Sequence, residues 1–78
     1  MKKVSIYSTP TCTYCKKAKV FFGEHGITFE EFNVAANAEK RQEMVELSGQ
    51  LGVPVIRIND DVIVGFDQPM LQELLEIK

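Results

Sequence analysis

Val4-Ser5-Ile6-Tyr7-Ser8-Thr9-Pro10-Thr11-Cys12-Thr13-Tyr14-Cys15-Lys16-Lys17-Ala18-Lys19-Val20-Phe21-Phe22 passes from a β-prone segment through two cysteines into a helical one. Val4 to Tyr7 alternates at period 2 in β-prone residues and runs out at Pro10, as a strand does. From Thr13 to about His25, Ala18, Phe21 and Phe22 recur at helical spacings of three and four, and Gly26 supplies a C-terminal stop. Ile27-Thr28-Phe29-Glu30-Glu31-Phe32 is again rich in β-formers and reads as a second strand. One helix between two strands is a βαβ unit, which implies a parallel pair joined by a right-handed crossover.

Downstream, Asn37 to Ser48 reads as a second helix, with Asn37 as N-cap, Met44, Val45 and Leu47 as buried positions and Gly49 as terminator. Val53-Pro54-Val55-Ile56-Arg57-Ile58 is strand-like, Asn59-Asp60-Asp61 turn-like, and Val62-Ile63-Val64 completes a hairpin. Gly65 ends that strand. Asp67 can cap a last helix in which Pro69 is tolerated in the first turn and Met70, Leu71, Leu74, Leu75 and Ile77 form the apolar stripe. The order β-α-β-α-β-β-α describes one α/β domain over residues 1–78, with no repeat, linker or low-complexity segment.

A chain of 78 residues buries only about 60% of the surface it exposes unfolded, so a disulfide staple would be useful to it. The two cysteines, Cys12 and Cys15, are badly placed for that role. The loop they close contributes roughly 2 kcal/mol, against about 3 for a 15-residue loop. Charge is uneven along the chain. Lys2, Lys3, Lys16, Lys17 and Lys19 give the first 22 residues +5 without an acid, whereas the rest is acidic and the net charge is −2. The lysines are either a local electropositive site or scattered solvated charges. A net acidic chain with one short basic region lacks the broad basic face that nucleic-acid binding requires. The apolar run after Lys2 and Lys3 contains Ser5 and stops at Ser8-Thr9-Pro10, unlike a secretion signal, and no stretch approaches the ~20 apolar residues of a membrane span. The expectation is a cytoplasmic protein that contacts neither nucleic acid nor membrane and acts as a monomer.

Cys12 falls at or beside the N-terminus of the first helix. Unsatisfied N–H groups and the positive end of the macrodipole favour an anion there, and cysteines so placed ionise at roughly 3.5 to 7.5. Cys12 is therefore expected to be the attacking thiolate, with Lys16, Lys17 and Lys19 adding support. Cys15 lies one turn further on, within disulfide reach, where it can attack a mixed disulfide formed on Cys12. Zinc is the rival reading. His25, the only histidine, is ten residues past Cys15, about 15 Å along a helix, so one chain does not complete a tetrahedral site. A metal shared between two chains, or two inert buried thiols, remain the alternatives.

Two further features stand out. Val53-Pro54 is either an ordinary strand-opening proline or, if the third strand lies beside the first, a backbone edge near the cysteines that an extended substrate can join. Gly65-Phe66-Asp67 is either a glycine turn with a capping aspartate or a recognition element for a substrate's ammonium or amide.

Together these residues resemble the glutaredoxins, over nearly the whole chain. Tyr7 to Cys15 is similar to the family's Y-S-K-x-x-C-P-Y-C, Val53-Pro54 to the end of its T-V-P, Gly65 and Asp67 to part of its G-G-x-D, and Asn37 to Met44 with Ser48-Gly49 to the second helix of small bacterial members. A C-x-x-C within a βαβ pattern is also the mark of a thioredoxin-like redox site. The resemblance implies a thioredoxin fold whose mixed four-stranded sheet, order 2-1-3-4, is flanked by three helices, with a cis Pro54. It also implies Cys12 as nucleophile and Cys15 as resolving thiol. Thr13, Tyr14, Val53, Pro54, Gly65, Phe66 and Asp67 would then contact glutathione, the electron-donating cosubstrate, with no cofactor or metal bound. Disulfide-containing and glutathionylated proteins would be the substrates.

The departures from the family pattern are Thr9 for lysine, Thr13 for proline, Gly52 for threonine, and Val64 and Phe66 about the glycine turn. Thr9 removes a cation that Lys16, Lys17 or Arg41 would have to replace. Gly65-Phe66 looks like the redoxins that draw electrons from thioredoxin reductase and serve ribonucleotide reductase. A glutathione-ligated iron–sulfur carrier, with Cys12 of two chains holding the cluster, is the third functional class.

Overall fold

The computed structural model describes residues 3–76, and Ile77 of the expected last stripe lies outside them. The elements are β1 (Val4–Ser8), α1 (Thr13–Glu24), β2 (Glu30–Asn33), α2 (Ala38–Ser48), β3 (Val55–Ile58), β4 (Asp61–Val64) and α3 (Gln68–Leu75). The sheet order is β2-β1-β3-β4, with β1 parallel to β2 and the other pairs antiparallel. This is the expected α/β thioredoxin-type arrangement.

Central β1 is buried at all five positions, as a strand covered on both faces must be. On one face Val4, Ile6, Ile56, Ile58 and Ile63 meet Ala18, Phe21 and Phe22 of α1 and Leu71 of α3. On the other, Tyr7 and Val55 pack with Val34 and with Met44 of α2. Asn37 caps α2, accepting the Lys40 N–H at 3.1 Å, and Gly49 ends it at φ 74. Of the buried positions expected on α2, Met44 is fully enclosed while Val45 and Leu47 are half-buried. Among the described residues no helix is long and apolar enough to cross a membrane.

Three boundaries differ from those expected. Strand β2 begins at Glu30 and not at Ile27. The Ile27 N–H is taken by the Phe22 carbonyl at 2.8 Å and the Gly26 N–H by Gly23 at 3.3 Å, a Schellman closure of α1 that holds Ile27 against the core as part of the helix stop. Strand β3 begins at Val55, after the cis Val53–Pro54 bond. The hairpin turn is Asn59-Asp60 alone, because Asp61 already pairs with Ile58. In α3, Met70 is 43% exposed and leaves the apolar stripe to Leu71, Leu74 and Leu75.

Candidate active site

Crossover from β1 into α1 delivers the cysteines. Cys12 is the N-cap residue, extended at φ −82 and ψ 116, and its Sγ accepts the Cys15 N–H at 3.1 Å. Its own N–H donates to the Thr9 carbonyl and its carbonyl accepts from Lys16, both at 3.3 Å. The sulfur thus occupies the place a serine or aspartate oxygen fills in an ordinary cap, where the free amides of the first turn converge.

The two free thiols differ in access. Cys12 is half-buried and Cys15 fully buried. Burial, followed by the hydrogen bond with Cys12, pushes the Cys15 thiol up to about 12. Cys15 therefore holds its proton at neutral pH, while Cys12 is the more accessible of the two sulfurs. That division suits a nucleophile and a resolving thiol.

Of the three lysines that follow the cysteines, Lys19 is engaged elsewhere. Lys19 reaches across to β2 and pairs with Glu31 Oε2 at 2.6 Å, an oxygen that also accepts the buried Ser8 hydroxyl at 3.1 Å. The Lys19 hydrogen bond, aided by Ser8, holds the Glu31 carboxyl below the usual carboxylate range. Lys17 stands over the Tyr14 ring, Nζ 5.0 Å from its centroid. Arg41 is exposed on α2 and does not line the groove described next.

An open groove of about 660 Å³ runs beside the cysteine loop. Tyr14, Val53, Pro54, Gly65, Phe66 and Asp67 line it as expected, joined by Val64, Gln68 and Pro69, which sequence reasoning missed. Gln68 and Pro69 were signalled only by following Asp67 at a helix start. Thr13 is not part of this groove and lines a neighbouring hollow between α1 and α3. Gly65 has φ 84 and donates its N–H to the Pro54 carbonyl at 2.8 Å, tying the two loops that form the wall. Space around it is open, so φ alone is what favours glycine there. Asp67 is the α3 cap, its Oδ1 accepting the Met70 N–H at 3.3 Å, and it also borders the groove.

A partly buried pair outside the cysteine region also escaped the sequence reading. The Tyr7 hydroxyl donates to Glu43, whose carboxylate also receives Lys40 at 3.1 Å, fastening α2 to β1. Burial and then the Glu43 bond push the Tyr7 hydroxyl up to about 12. The contact was invisible beforehand because it joins residues 36 positions apart.

The glutaredoxin family profile matches residues 4–63. The chain is 47% identical over 73 residues to an uncharacterized glutaredoxin-like 8.6 kDa protein in the rubredoxin operon of Clostridium pasteurianum, covering 94% of this chain and 97% of that one. It is 42% identical over 67 residues to glutaredoxin 3 of Escherichia coli K12, covering 86% and 81%. Among solved structures, the glutaredoxin-like NrdH-redoxin of Escherichia coli, described as having a thioredoxin-like activity profile, has a TM-score of 0.81 at 28% identity, covering 92% of this chain and 93% of that one. A capped, reachable Cys12 over a buried Cys15, on this sheet and with these relatives, leads to one assignment: the chain belongs to the glutaredoxin family of thiol–disulfide oxidoreductases.

Proposed function

We propose that this protein is a glutathione-dependent dithiol oxidoreductase, reducing protein disulfides and glutathione mixed disulfides in the cytoplasm as a single chain. Cys12 thiolate attacks one sulfur of the substrate disulfide, forming a mixed disulfide and expelling a thiolate that takes up a proton. Cys15 then gives up its proton and attacks the Cys12 sulfur, releasing the second product thiol and leaving Cys12 and Cys15 joined. Two glutathiones return the two electrons and become glutathione disulfide.

The observation that carries the glutathione reading is the groove itself. It adjoins Tyr14 of the cysteine loop and presents Val53, whose backbone has no partner among the described residues, opposite the Asp67 end of α3. A short extended peptide with an ammonium at one end fits such a surface by strand addition and charge pairing. Free thiols and a short, readily reversed disulfide suit the reducing cytoplasm.

A specific observation favours a second reading. Phe66 packs edge-on against Phe21, ring centroids 5.8 Å apart, and fills the turn that a second glycine would leave open. This and the similarity to the NrdH-redoxin support reduction by thioredoxin reductase instead. Turnover of a glutathionylated peptide decides between them. Glutathione with glutathione reductase and NADPH is expected to sustain it faster than thioredoxin reductase with NADPH, and the reverse order would transfer the protein to the second reading.

A further inference from the structure

We propose that the hollow between α1 and α3, on the other side of Phe66 from the groove, receives an acidic, apolar-anchored segment of the protein substrate. The inference rests on Cys12 as the attacking thiol and not on glutathione as the donor.

The hollow is about 390 Å³ and starts at Thr13, the residue after Cys12. Its floor is the Phe21–Phe66 edge-to-face pair, and Phe66 and Gln68 are shared with the neighbouring groove. A polypeptide attached to Cys12 therefore has two surfaces close by, one adjoining Tyr14 and the other Thr13, with Phe66 shared between them. Val20 also lines the hollow, and at 58% exposed it is an apolar side chain beside the charged Lys16, Lys17 and Glu24.

Charge tells which segment fits. Lys16 and Lys17 lie at the cysteine end and Glu24 about two turns further along α1. A lysine on a helix is neutralised most simply by an acid three or four residues away. The positions so placed around Lys16 and Lys17 are Cys12, Thr13, Tyr14, Lys19, Val20 and Phe21, none of them acidic. Among the described residues neither ammonium has a carboxylate partner, in contrast to Lys19 and Lys40, which do. The matching occupant places an aliphatic or aromatic side chain on Val20, Phe21 and Phe66. Its carboxylates lie toward Lys16 and Lys17, and no acid lies toward Glu24.

Single-turnover reduction tests this without any donor system. The fully reduced protein is mixed with short synthetic peptides, each holding one internal disulfide flanked by leucine and either two glutamates or two lysines. Bis(2-hydroxyethyl) disulfide serves as the neutral small substrate. The protein's two thiols become a disulfide as the peptide disulfide becomes two thiols, so electrons and protons balance. The glutamate peptide is expected to react roughly fivefold faster than the lysine peptide, an advantage that shrinks with added salt, as exposed charge pairs of this kind permit. Val20→Asp should remove that advantage and Glu24→Lys enlarge it roughly twofold, while both variants reduce the small disulfide at the unaltered rate.

Equal rates for the two peptides would overturn the proposal while leaving Cys12 chemistry intact. Failure to reduce any substrate would instead overturn the dithiol reading and this one with it. Concentration-dependent self-association in sedimentation, lost in Val20→Asp, would assign the hollow to a second copy of the chain and also overturn the proposal.

Discussion

Cys12→Ser is expected to end turnover, a loss on the order of a thousandfold or more, as when other enzymes lose their nucleophile. The thiolate is the attacking species in disulfide exchange, and a serine hydroxyl neither ionises near neutral pH nor forms a disulfide. Folding should survive the change, because Cys12 holds the N-cap position and serine is among the best residues for it. Turnover followed through NADPH oxidation and stability followed by thermal melting should therefore separate, the first lost and the second kept. Cys15→Ser is expected to differ. It leaves Cys12 free to exchange with a glutathionylated substrate but removes the thiol that closes the internal disulfide. Full activity in Cys12→Ser would overturn the assignment of the nucleophile.

Phe22→Ala is expected to have the largest effect on stability, a loss of about 3 to 5 kcal/mol. The ring is wholly buried between sheet and helix, with Phe21 at 5.9 Å and Phe29 at 5.2 Å between centroids. A domain of this length has a total stability of roughly 4 to 12 kcal/mol, and the free thiols of the active form contribute no cross-link. One emptied site thus removes a large share of what holds the sheet to α1. Urea titration should show the midpoint falling with little change in slope. A loss under about 1 kcal/mol, no more than an ordinary surface substitution gives, would mean that the α1 face is not the main core.

Element order and helix starts were legible in the sequence because they rest on local chemistry. Cys12, Asn37 and Asp67 each cap a helix through their own side chain, and Gly49 stops one at positive φ, so each can be read from a few neighbouring residues. What escaped depends on contacts distant in sequence. Ile27 looks like a strand residue until its N–H is seen closing α1 onto Phe22. Lys19 looks like part of a cysteine-side cluster until Glu31 draws it to β2. The groove is foreseen through the glutaredoxin resemblance at Val53, Pro54 and Gly65 to Asp67, whose proline and glycine also punctuate the chain, whereas Val64 and Gln68 carry no such mark. The resemblance places Thr13 among the groove residues as well. The first turn of α1 instead puts it on the opposite side of Phe66.

The chemistry rests on an asymmetric pair: a reachable sulfur at the cap of α1 and a buried thiol one turn behind it. Brief treatment of the reduced, folded protein with iodoacetamide at neutral pH, followed by peptide mapping, measures this directly. Cys12 should be alkylated while Cys15, fully buried and with its thiol pushed up to about 12, stays unmodified until the protein is unfolded. Alkylation of Cys15 as fast as Cys12, or ahead of it, would contradict the division of roles between them.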